Sequence, residues 1–157
     1  MKPMLYRDRA AEVAARLAAL PGAGRVHDRG KVVRTSAELI RHFKVEGQEK
    51  ICGWFVTRFA GAADPGAPAH WEDRMKLIRF CGVQDESESE LDFQESLDDA
   101  VVEFRDNPQL SFGTVAGELK ILVAEPRDFM GGAVFHVAEC ELVVSLDFYH
   151  DLTGRSE

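Results

Sequence analysis

Residues Ala133 to Tyr149 contain neither glycine nor proline over 17 positions. Val134, His136, Ala138, Cys140, Leu142, Val144, Leu146 and Phe148 alternate on one side. Extended chain rises ~3.3 Å per residue, so such a strand would reach roughly 50 Å, against a usual strand of about six residues. An exposed apolar edge of that length invites pairing with another chain. Leu119, Ile121 and Val123 mark a short strand with one apolar face, and Pro126 to Gly132 reads as the turn of a hairpin with it. The partner is about half as long. Either a bulge near Glu139 or Ser145 breaks the long strand, or its unpaired end needs another chain.

The stretch Trp71 to Asn107 reads as a strand, a turn and an amphipathic helix. In the strand Arg74 to Phe80, Met75 and Leu77 share one face and Ile78 and Phe80 the other, so both faces should be covered. Gly82 breaks it. Ser87 offers an N-cap oxygen, and Glu90 can reach back to complete a capping box. Phe93, Leu97, Ala100, Val101 and Phe104 then fall on one helical stripe. Asn107-Pro108 ends the helix.

The outer face of that helix is acidic. Asp85 to Asp106 holds ten acids and one base, Arg105, a net of −9 in a chain of −8. Residues 1–50 hold eleven bases and six acids, a net of +5. Charge is thus segregated, which reads as a solvated face or as a surface that meets a basic patch or repels a polyanion. Glu86, Glu88, Asp92, Glu95 and Asp99 are the candidate interface or lumen acids. Arg7, Arg9, Arg29 and Lys31 are the candidate bases of the opposing surface.

At 157 residues the chain suits a single domain over residues 1–157, long enough to bury a core. No apolar run approaches a membrane span, and the charged first residues do not read as a secretory leader. The acidic balance argues against gripping DNA by its phosphates. Cys52, Cys81 and Cys140 lie far apart in or beside apolar strands, which reads as reduced core thiols in a cytoplasmic protein.

Met4 to Leu20 is a helix candidate with Tyr6, Ala10, Val13, Leu17 and Leu20 on one stripe, closed by Pro21-Gly22. Gly24 to Val33 reads as a loop or short strand. Thr35 and Glu38 form a capping box before a short helix from Ala37 to Phe43. Lys50 to Ala60 is a strand in which Ile51, Phe55 and Phe59 oppose Cys52, Trp54 and Val56. The stretch GAADPGAPAHW reads as a long loop whose tip is mobile or meets a partner. Leu110 to Gly117 reads as a second loop. The expected class is α+β: a mostly antiparallel sheet, a long C-terminal β-hairpin, two to three helices packed against it, and an extended tail from about residue 150.

No catalytic constellation stands out. His27, His42, His70, His136 and His150 form no spaced pair typical of a zinc site, and there is no GxSxG, phosphate loop or CxxC. His136, on an apolar strand face, reads as a hydrogen-bonded core or interface histidine. Glu88, Asp92, Glu95 and Asp99 form an open helix face without the convergence of a metal cage. No cofactor is expected.

Four patterns resemble the tail-terminator, or tail-completion, family of tailed bacteriophages and prophages. They are GRVHD at Gly24 to Asp28, GWFVTR at Gly53 to Arg58, GVQDESESELDFQESL from Gly82 to Leu97, and AEPRDFMGGAVFHVAECELVV from Ala124 to Val144. Gly82, Asp85, Ser89, Glu90, Phe93 and Leu97 match in the third. Glu125, Pro126, Arg127, Phe129, Gly131, Gly132, His136, Ala138 and Glu139 match in the fourth. The chain departs from the pattern at Cys81-Gly82, at Met130 and in its FYHDLTGRSE tail.

The resemblance implies a structural virion protein. It would form a homo-oligomeric ring, commonly a hexamer, at the head-proximal end of the tail tube, after assembly in the bacterial cytoplasm. Its partners would be the tail-tube protein and a head-completion or connector protein. DNA would pass through without specific binding, and no membrane is involved. Another neck or stopper subunit of the same particle is one alternative. A small enzyme using Cys81 or His27 is a second, of another class, which an accessible thiol of depressed pKa would favour.

Overall fold

The structure, a computed structural model, describes residues 5–31, 34–48, 50–83, 88–129 and 133–147. Its elements are α1 (Tyr6–Ala18), β1 (Arg25–His27), α2 (Ser36–Phe43), β2 (Cys52–Asp64), β3 (Ala67–Gly82), α3 (Ser89–Asp106), a 3-10 turn (Ser111–Gly113), β4 (Val115–Ala116), β5 (Lys120–Phe129) and β6 (Ala133–Asp147). The class is α+β, as expected. The sheet runs β1-β2-β3-β6-β4, with β5 also on β6, and all pairs except β1–β2 are antiparallel.

β6 is long and unbroken, and its neighbours resolve both readings of its length. β3 pairs with it from Phe135 to Asp147 along one edge. On the other edge β5 covers Ala133 to Glu141, and β4 covers Val144 and Ser145. The long strand therefore finds its partners within the chain. The bulge expected in β6 belongs to β5, between Ile121 and Val123. It rotates Ile121 and Val123 onto opposite faces, so β5 lacks the single apolar face expected of it. β5 also runs through Pro126 to Phe129, where the sequence suggested a turn. Proline is tolerated there because β5 is an edge strand and needs no outward N–H.

The supposed long loop after Ala60 is a hairpin. β2 extends to Asp64, and β3 starts at Ala67. Cross-strand pairing continues through Ala60 to Ala63, small residues that read as loop only when sheet context is ignored. Leu110 to Gly117 likewise carries β4.

The helices divide between the two faces of the sheet. Cys52, Trp54 and Val56 of β2, Met75 and Leu77 of β3, and Ala138 to Val144 of β6 pack with α1 and α3. Ala10, Val13, Ala14 and Leu17 of α1 are buried there, as are Phe93, Leu97, Ala100 and Phe104 of α3. Leu39 and Phe43 of α2 cover Phe55, Phe80, Phe135 and Val137 on the other face. The two-sided strand reading of β3 is correct, but the opposite cover is one short helix at one end.

Helix ends follow local chemistry. Thr35 Oγ1 accepts from the Glu38 N–H (3.2 Å), while the Glu38 carboxylate takes the Arg34 N–H (2.6 Å) rather than that of Thr35. The carbonyls at the end of α3 are met from α1: Arg16 donates to Asn107 O (2.7 Å) and Gln109 O (2.6 Å). A cation at a helix C-terminus complements its dipole. α3 starts at Ser89 after Glu88, so the Ser87 cap, with Val32, Val33, Met130 and the tail from residue 148, lies outside the described residues.

Candidate functional site

The four sequence patterns meet in pairs. GRVHD supplies β1 and GWFVTR opens β2, with Arg25 opposite Gly53 and His27 opposite Phe55. Gly53 is required by proximity: a Cβ there would sit 2.2 Å from Arg25 O. Gly24 carries φ +74° and would put a Cβ equally close to Cys52 O. The third and fourth patterns join at His136, which is buried. Its Nε2 lies 3.2 Å from Ser89 Oγ, and its ring stacks on Phe93 at 5.2 Å. His136 is the hydrogen-bonded core histidine that its position on β6 suggested.

The chemistry-bearing residues are committed to structure. Cys52 and Cys81 face each other across β2 and β3 and are disulfide-bonded, which corrects the reading of three reduced thiols. Burial raises the Cys140 thiol to about 12, so no accessible, depressed thiol is present among the described residues. His27 hydrogen-bonds His42 O (2.7 Å), and desolvation, then Lys31 and Arg25, lower its pKa. Asp28 pairs with Arg29 (2.9 Å) rather than with His27. No group of three metal-ligating side chains occurs among the described residues. Among the described residues no helix is long and apolar enough to cross a membrane.

Two buried arginines organise the interior. Arg79 donates to Gly22 O (2.8 Å), Ala23 O and Ser96 Oγ (3.2 Å), and lies 5.3 Å over the Trp54 ring. It pins the α1–β1 turn to the sheet, and burial lowers its pKa to about 10. Arg9 is 4% exposed and forms a two-pronged ion pair with the fully buried Asp73. Arg58 (3.1 Å) and Trp71 Nε1 (3.0 Å) hold the other Asp73 oxygen. Arg9 is therefore a core residue and not part of the basic surface to which its sequence position assigned it. An isolated arginine in a basic segment reveals nothing of a partner 64 positions away.

The remaining candidates do reach the surface. Glu88, Asp92, Glu95 and Asp99 are exposed along the outer side of α3, while Glu86 lies outside the described residues. Arg7 and Arg29 are exposed and Lys31 is half-buried. α3 sits on one face of the sheet, and α2 sits on the other. Residues 25–50, around β1 and α2, carry seven bases and four acids. The bases around α2 thus lie across the sheet from α3, whereas α1, which carries Arg7 and Arg16, packs on the same face as α3, and Lys50 lines a cleft with Asp92, Glu95 and Asp99.

Sequence reading missed a cavity. Beneath α2 an open pocket of about 320 Å³ is lined by Leu39, Phe43, Phe55, Ile78, Phe80 and Val137. Lys31, Arg127 and Asp128 edge it. Arg127 is taken by Glu125 (3.2 Å) and Glu139 (3.8 Å), whereas Lys31 makes no ion pair among the described residues. The apolar residues arrive from α2, β2, β3 and β6, so no single periodicity displays them.

In comparison with known proteins, the chain matches no family model and no curated protein.

Proposed function

We propose that this chain is a structural virion protein, a tail terminator that assembles as a ring, hexameric as the resemblance implies, at the head-proximal end of a phage tail tube. The observation that carries the reading is the set of four ordered patterns from Gly24 to Val144. Their residues supply the β1–β2 junction and the Ser89–His136–Phe93 contact, so they belong to one folded unit. The acidic outer side of α3 and the basic surface around β1 and α2 are complementary patches on one chain, which supports assembly, because heterologous contacts repeated around an axis can close into rings. On this reading the ring stops tube growth and presents a surface to the head connector.

Some acids of α3 face the bore through which DNA slides. A lumen that neutralised phosphates would release counterions and hold the genome. Asp92 and Asp99 stand about 100° round the helix from Leu91 and Asp98, on a flank separate from the outermost line.

The test is removal of the gene from the phage or prophage that carries it. Overlong, headless tubes in electron micrographs are expected. Tails of normal length joined to heads would sink the reading. Adjacent tail-tube and head-completion genes would further separate it from an enzymatic role, and tube length separates it from a stopper or other neck subunit.

A further inference from the structure

We infer that copies of this chain dock head to tail, with Leu91 on α3 of one copy seated in the apolar cavity beneath α2 of the next. This deepens the ring reading by naming its contact and rests on that reading only for closure into a ring.

Leu91 is 59% exposed, the most exposed of the large apolar side chains among the described residues. It lies opposite the stripe of Phe93, Leu97 and Phe104 that faces the sheet. Leu91, Glu95, Asp98 and Val102 follow spacings of four, three and four, so they form one ridge along the outside of α3. Val102 is also exposed. Glu88 and Glu95, three residues before Leu91 and four after it, flank it on the same side, making an apolar knob between acids. Scattered surface leucines need no partner. This one has a complementary receptor on the same chain.

The cavity beneath α2 is apolar at its base and large enough for a leucine side chain. At its edge stands Lys31, a cation without an ion pair among the described residues. Arg25, Arg34, Arg41 and Lys44 extend the basic surface along β1 and α2. Asp128 is the opposing charge at the rim. Knob and cavity lie on opposite faces of the sheet, so one copy can use both at once. Such a contact is heterologous and propagates from copy to copy. Charge steers the approach, and the buried leucine supplies the anchor.

The experiment is sedimentation velocity on the full chain with two surface substitutions, Leu91→Asp and Lys31→Glu. Circular dichroism verifies that each remains folded. Each is expected to raise the concentration needed for assembly by about tenfold or more. Leu91→Asp retains a working cavity, and Lys31→Glu retains a working knob. Mixed together, they should therefore form a one-to-one heterodimer that grows no further. Variants that assemble like the wild type would overturn the inference and leave the ring reading standing, since another surface would then make the ring. So would a mixture that stays monomeric, or a wild-type chain that stays monomeric at high concentration and low salt. Tube length after gene removal decides the ring reading separately.

Discussion

The Arg9 guanidinium and the Asp73 carboxylate form a buried ion pair that ties the first turns of α1 to the middle of β3, with Arg9 Nε 2.7 Å from Asp73 Oδ2. Asp73 also holds the half-exposed Arg58 and Trp71, so removing it takes the counter-ion from the buried Arg9 and breaks both other contacts. Asp73→Ala is expected to destabilise the chain by about 3–5 kcal/mol, measured by denaturant unfolding. A change under about 1 kcal/mol would mean that water or another group replaces the carboxylate.

Leu97 is fully buried between α3 and the sheet. Leu97→Ala should cost about 2–5 kcal/mol. An unchanged melting temperature would show that the stripe of α3 does not pack on the sheet.

Gly53 and Gly30 make a paired test of close backbone approach. A Cβ at Gly53 would overlap Arg25 O, while one at Gly30 would meet only Thr57 at ordinary contact distance. Gly53→Ala should destabilise by about 1–3 kcal/mol or more as β1 is pushed from β2. Gly30→Ala should stay within about 1 kcal/mol of the wild type. Equal effects at both positions would refute the β1–β2 junction.

The His27 pKa is lowered by desolvation, then by Lys31 and Arg25. The unfolded state therefore binds this proton at higher pH than the folded state does. Its contribution is present above the unfolded value of about 6.5 and is lost as pH falls toward the folded value. Melting temperature should fall on acidification through that window, and His27→Gln should flatten the fall. An identical pH profile for the variant would remove His27 from the account.

Changing Asp92 and Asp99 to Lys tests the bore. Tails of normal length with slowed, salt-sensitive DNA ejection are expected. Failed assembly would move these acids to the subunit contact, and unchanged ejection would leave them as a solvated face.

Local pattern determined much of this protein by itself. The stripes of α1 and α3, the alternation of Cys52, Trp54 and Val56, and the face of β6 all lie where periodicity put them, because each depends on spacing along one element. The acidic character of α3 was legible for the same reason. Tertiary structure alone decided the rest. Ala60 to Ala63 became strand because β3 lies alongside, and Pro126 stayed in β5 because that strand is an edge. Arg9 left the surface because Asp73 waits 64 positions away. The cavity beneath α2 exists only where four elements converge. Sequence spacing records the face on which a side chain stands, but the identity of what it meets is set by long-range packing, where burial and charge pairing between distant residues outweigh local propensity.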